Sequence, residues 1–139
     1  MCWISEVAEL KVAKEDIKIF KLCLSMRRLL SYYNGFAYEL NKVYELGTDI
    51  VPIFSSYHDR YEISIGFHSY ANNCQLLDRR WHYIVTSPDN KARDCYSRED
   101  LVLVRGYIPK GSHYYLNDYG EYVSNKICLT SIEKIQCVG

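Results

Sequence analysis

The sequence predicts a single α+β domain over residues 1–139, mostly antiparallel sheet with one or two short helices. Three observations carry that expectation. Alternating or continuous apolar runs of strand length outnumber helical periodicities along the chain. Ser69 stands where an N-cap serine would open a short helix running to about Arg79. A chain of 139 residues is long enough to bury a core without disulfide staples, and no repeat or linker divides it.

Taken in order, Glu6 to Val12 alternates loosely, and Ala13-Lys14-Glu15-Asp16 is compatible with one helical turn. Ile17 to Leu24 reads as a strand rich in β-branched and aromatic residues. Its Phe20, Leu22 and Leu24 share an apolar face. Ile17, Ile19, Lys21 and Cys23 share a mixed face, from which Lys21 projects at mid-strand, ordinarily a solvated position. Ser31 to Gly35 ends in Asn34-Gly35, a pair that supplies the positive φ angles of a tight turn. Phe36 to Leu40 and Val43 to Leu46 follow, closed by Gly47. Ile50 to Phe54 is extended, with Pro52 pointing to a sheet edge. Tyr61 to Ile65 alternates up to Gly66, which would place His68 and Ser69 at a strand-to-helix junction. Trp81 to Thr86 is a further strand candidate, and Lys91 to Asp100 is charged and loop-like. Leu101 to Ile108 is continuously apolar at its start, suits a central strand and stops at Pro109. A turn leads to a second run, Tyr122 to Leu129, and Ile108 to Glu121 is expected to pack beside Gly66 to Tyr70.

Composition bounds the function classes. The 17 basic and 17 acidic side chains cancel, which disfavours duplex nucleic acid as a partner. Fourteen tyrosines suit half-buried strands or a binding surface. The six cysteines form no CxxC pair, and the four histidines show no paired spacing, so neither a metal site nor a cofactor is expected. Met1 to Glu6 has no basic or apolar leader, and no run reaches bilayer length. A cytoplasmic protein with reduced thiols and no membrane partner is therefore expected.

Met1-Cys2-Trp3, the Val12 to Lys21 segment, Ser31 to Gly47, the Gly66-Phe67-His68-Ser69-Tyr70 box and Ile108-Pro109-Lys110-Gly111-Ser112-His113-Tyr114-Tyr115 with Gly120-Glu121-Tyr122-Val123-Ser124 form a set. With these boxes the chain resembles a family of short proteins of Bacteroides-type gut bacteria and their phages and prophages. It departs from them in a longer polar stretch, Asp78 to Asp100. The resemblance implies an accessory protein in the host-cell cytoplasm that binds a host protein, for instance as a host-defence inhibitor, or a nucleotide-like small molecule. It implies no reaction.

In layout the chain also resembles ADP-ribosyltransferase-like domains, with Lys21, Ser69 and Glu121 in comparable order. That resemblance implies a small enzyme using a nucleotide substrate. Glu121 would hold a ribose hydroxyl and stabilise positive charge as nicotinamide leaves, Ser69 would orient it, and Tyr70 or Tyr115 would stack on a ring. Lys21 stands where that fold usually has arginine or histidine, and the chain is short for such an enzyme. The candidate catalytic residues are thus Glu121 and Ser69. The candidate ligand contacts are Lys21, His68, Ser69, Tyr70, Lys110, Tyr114, Tyr115 and Glu121. His68 has a plainer alternative as a packing histidine bonded to a backbone carbonyl. Cys74 paired with a histidine is a weaker candidate nucleophile without a local signature. Convergence of His68, Ser69, Tyr115 and Glu121 on one pocket would favour a ligand site over a flat contact surface.

Overall fold

Strand β3 (Ile17–Ser25) is covered on both faces, and the rest of the chain is laid around it. A computed structural model describes residues 3–32, 34–71 and 101–133. In chain order its other strands are β1 (Trp3–Ser5), β2 (Lys11–Val12), β4 (Leu29–Ser31), β5 (Ala37–Tyr38), β6 (Val43–Glu45), β7 (Ile53–Ser55), β8 (Arg60–Ile63), β9 (Phe67–Ala71), β10 (Leu101–Ile108), β11 (His113–Leu116), β12 (Glu121–Ser124) and β13 (Lys126–Glu133).

The fold is all-β, not α+β: among the described residues there is no helix, and every strand pairing is antiparallel. The expected N-cap at Ser69 is instead the middle of β9, where Ser69 pairs with Tyr122 of β12. A sheet ladder occupies the backbone groups that a helix start would have left open, so the local capping signal is overridden. Residues 72–79 of that expected helix, the strand candidate Trp81 to Thr86, the polar stretch up to Asp100 and Cys74 lie outside the described residues. The expected helical turn at Ala13 to Asp16 is also absent. Ala13 N–H donates to the Ser112 carbonyl at 2.8 Å, and Gly111 N–H donates to the Ala13 carbonyl at 2.8 Å. Those bonds tie the segment to the turn after β10.

Ten strands form one sheet, in the order β2-β11-β12-β9-β3-β10-β13-β6, with β4 on β3 and β5 on β4. As its apolar composition suggested, β10 is central, paired to β3 along Leu101–Ile108 and to β13 on its other side. The run from Tyr122 to Leu129 is two strands rather than one. It breaks at Asn125, whose N–H donates to His113 at 3.0 Å and whose Oδ1 accepts the His113 N–H at 2.8 Å. These bonds let β12 stay beside β11 while β13 crosses to β10. Of the stretch Ile108 to Glu121, expected beside Gly66 to Tyr70, only Glu121 pairs there, opposite Tyr70. The neighbour of β9 is β12, which runs on to Ser124 opposite Phe67, while His113 to Leu116 pair with β12 and β2.

A second, three-stranded sheet has the order β1-β8-β7 and leaves β7 as an edge, next to Pro52. Trp3, Ile50, Ile63, Tyr115 and Val123 form the apolar layer between the two sheets. No helix among the described residues is long and apolar enough to cross a membrane. The described cysteines, Cys23 and Cys128, are buried and free.

The sheet closes most tightly at Gly106. A Cβ there would meet the Cys128 carbonyl oxygen at 2.3 Å and Leu129 Cα at 3.0 Å, beside the register shift between β10 and β13. Those atoms are backbone of a central ladder and cannot yield as a side chain would. Gly106→Ala is expected to cost about 3 kcal/mol, the upper range for overpacking. Urea denaturation checks this, and a loss under about 1 kcal/mol would mean that the two strands separate easily.

Candidate functional site

The site begins as an interruption in a hydrogen-bond ladder. One edge of β3 is paired with β10 along its length, from Leu24 opposite Leu101 to Ile17 opposite Ile108. The other edge changes partner. It pairs with β9 at Ile19 and Phe20, then with β4 from Cys23 to Ser25. Between the two, β9 and the β4–β5 hairpin part. Tyr32 N–H reaches the Leu22 carbonyl at 3.3 Å, while the Lys21 ammonium donates to the His68 carbonyl across the gap. A side chain thus replaces a backbone donor where the ladder fails.

The gap is a cleft of about 90 Å³. Residues of both sheet faces line it, among them Lys21, Ser31, Tyr38, His68, Ser69 and Glu121. The Asn34-Gly35 turn brings the hairpin back: Gly35 takes φ 71°, and its N–H donates to the Ser31 carbonyl at 2.9 Å. Gly66, at φ 148°, lets β9 enter close to Val123, whose Cγ2 would stand 2.4 Å from a Cβ at that position.

Lys21 is the electrostatic centre of the cleft. It is 6% exposed, not a solvated lysine on a sheet surface. The face it shares with Ile19 and Cys23 carries the main core, with Val102, Val104 and Ile127 packed in the same cluster. Burial pulls its pKa from 10.5 down to about 8, opposed by the Cys23 sulfur. Burial likewise pushes the Cys23 thiol up from 9.0 to about 12 and raises the Tyr38 phenol. Nζ lies 5.8 Å from the centre of the Tyr38 ring. Among the described residues no carboxylate comes within ion-pair distance of it.

Ser69 is 2% exposed, and its Oγ has no hydrogen-bond partner among the described residues. An unpartnered buried hydroxyl costs about 1–3 kcal/mol, and this one lines the same cleft as the buried Lys21 ammonium. Glu121, 6% exposed, accepts from Asn117 Nδ2 at 3.3 Å, and its carbonyl accepts the Trp3 indole N–H at 2.9 Å. Glu121 sits opposite Tyr70 and Tyr122 opposite Ser69, so the Glu121 and Ser69 side chains leave the sheet on opposite faces. His68 Nε2–H donates to the Ser64 carbonyl at 3.0 Å, as expected of a packing histidine.

Five of the sequence-derived candidates therefore line one cleft: Lys21, His68, Ser69, Tyr70 and Glu121. Three do not. Tyr115 packs against Trp3 with ring centres 5.9 Å apart, between the two sheets. Tyr114 stacks edge-on against Tyr122 at 5.7 Å. Lys110 lies in the turn before β11, where its N–H donates to Asp16 Oδ1 at 2.8 Å. Ser31, Asn34 and Tyr38 line the cleft without having been singled out, because only the pairing of β4 with β3 brings them there. Among the described residues no group of three or more His, Cys, Asp or Glu side chains could hold a metal ion. Comparison of the chain with protein-family models, curated proteins and solved structures finds no match.

Proposed function

We propose that the protein is a small accessory binding protein of phage type, acting in the host-cell cytoplasm, with the cleft beside Lys21 as its recognition site. The observation that carries this is a buried Ser69 hydroxyl without a hydrogen-bond partner among the described residues, in the same cavity as a buried cation that faces no carboxylate among them. Such groups are costly in a fold and are satisfied when a polar ligand enters. The resemblance of the boxes at Gly66 to Tyr70 and Ile108 to Ser124 to short phage and gut-bacterial proteins supports the cellular setting. Size favours a host protein over a nucleotide as the partner. A cavity of about 90 Å³ holds one side-chain tip or a few waters, whereas small-molecule pockets run to roughly 300 Å³ or more.

The test is an amide-shift map of the labelled protein in host cytosolic extract. Signals of Lys21, Ser31, His68 and Ser69 are expected to move first, and Ser69→Leu, which fills the cavity, should abolish the change. Shifts confined to the exposed apolar residues Val51, Ile53, Phe54 and Ile65 would move the recognition site to the small sheet.

The alternative, an ADP-ribosyltransferase-like enzyme, draws on Lys21, Ser69 and Glu121 lining one cleft, with Glu121 leaving the sheet on the face opposite the other two. Glu121→Gln separates the two. In an enzyme, NAD turnover falls by a hundredfold or more, the usual scale for a residue stabilising transition-state charge. In a binding protein there is no turnover in either form.

A further inference from the structure

We infer that the cleft at the junction of β3, β9 and β4 is a carboxylate-binding site, with Lys21 Nζ and Ser69 Oγ as its primary donors and Ser31 and Asn34 lining the same cavity. The assignment rests on the cleft being the recognition site and names the chemistry it takes. An ammonium carries three N–H donors. That of Lys21 bonds one backbone carbonyl and faces no carboxylate among the described residues, which leaves donors for an anionic acceptor. Ser69 Oγ adds a second donor, with no partner among the described residues. Phe20 lies opposite Tyr70, so their chain neighbours Lys21 and Ser69 both project to the other face of the sheet. Both donors therefore line the cleft from the same face, where one carboxylate can accept from each.

Charge and size exclude larger anions. One buried ammonium balances a single negative charge, and about 90 Å³ admits a group of few atoms. A phosphoryl group would bring nearly two charges to one cation. Glu121 does not compete for the Lys21 ammonium. Its side chain leaves the opposite face and is held by Asn117. The carboxylate can come from a small free acid or from an acidic side chain of a protein.

The labelled protein is titrated with sodium acetate at constant ionic strength, and separately with a capped tripeptide carrying glutamate or glutamine. Saturable shifts are expected at Lys21, Ser31, His68 and Ser69. Lys21→Met should weaken acetate binding by about tenfold or more, and Ser69→Ala by a few fold, the scale of a charge-assisted and a neutral hydrogen bond. Ser69→Ala should fold at least as stably as the parent, because the hydroxyl it removes has no partner. A glutamate peptide that binds tighter than acetate identifies a protein side chain as the source. Acetate binding without a peptide preference identifies a small acid. The assignment is overturned if acetate gives no saturable shift, if Lys21→Met binds it unchanged, or if inorganic phosphate binds tighter. If host extract moves the cleft signals while acetate and peptide do not, the carboxylate falls and the recognition cleft stands. If nothing moves them, both fall.

Discussion

Lys21→Met is expected to make the protein more stable at pH 7, by about 1–2 kcal/mol, and to flatten part of its pH dependence. Two effects compete. A lysine held at about 8 rather than 10.5 carries a desolvation cost of roughly 3 kcal/mol while protonated, at about 1.4 kcal/mol per pKa unit. Methionine removes that cost and keeps the apolar stem. It also removes the donor to the His68 carbonyl, which costs about 1–2 kcal/mol if the oxygen stays buried. The first effect is larger.

The pH window follows from the direction of the shift. Between about 8 and 10.5 the unfolded chain keeps the Lys21 proton and the folded chain has lost it. Unfolding then takes up a proton, so this group's contribution to stability rises with pH across the window. Below pH 8 both states are protonated and the full cost is present. The advantage of the methionine variant should thus be constant below pH 8, vanish near pH 9, and turn into a deficit of about 1–2 kcal/mol by pH 10.5, where only the lost donor remains. Burial raises the Cys23 and Tyr38 values, so those groups favour the folded state less as pH climbs past 9. They are present in both proteins and largely cancel in the difference. Denaturation curves for the pair at pH 7, 8, 9 and 10 check this. A difference that stays flat to pH 10 would mean that Lys21 is not desolvated as its position implies.

Trp3→Ala should have the largest destabilising effect, about 3–5 kcal/mol, the range for deleting a large buried aromatic. Trp3 is 1% exposed and joins the two sheets, packing with Tyr115, Ile63 and Val123 and bonding the Glu121 carbonyl. It is the side chain by which β1, paired to β8 at Trp3 and Ile63, is held against β12. Trp3→Phe keeps most of the packing and loses the indole bond, so it should cost about 1 kcal/mol more than the change in buried area alone. Equilibrium denaturation gives the total, and hydrogen exchange at Tyr61 to Ile63 reports whether the small sheet loosens first. A loss below about 1 kcal/mol for the alanine variant would mean that the sheets are joined elsewhere. Because Trp3 holds the main chain at Glu121, the alanine variant should also weaken whatever binds in the cleft.

Much of the strand inventory was legible in the residues themselves. Ile17 to Leu24 forms β3 because β-branched and aromatic side chains suit a pleated surface. The apolar run that opens at Leu101 forms a central strand because both its faces must be covered. Asn34-Gly35 turns the chain, with Gly35 at positive φ, and Pro52 precedes an edge strand that needs no further donors. These are local preferences, and neighbours in sequence suffice to express them.

What lies beside each strand was decided only by the tertiary structure. Ser69 carries the same capping hydroxyl in a helix start or a strand, and pairing with Tyr122 selects the strand. Tyr122 to Leu129 reads as one apolar run, yet the side-chain amide of Asn125 divides it between two ladders. Lys21 looks solvated in a pattern of alternating side chains. It is buried because β9 and β4 meet the same edge of β3 and leave one ammonium in the gap between them. Alternation along one strand determines which side chains share a face. Only the partner strands, brought from residues 29–31 and 67–71, determine whether that face meets water, core or a cleft.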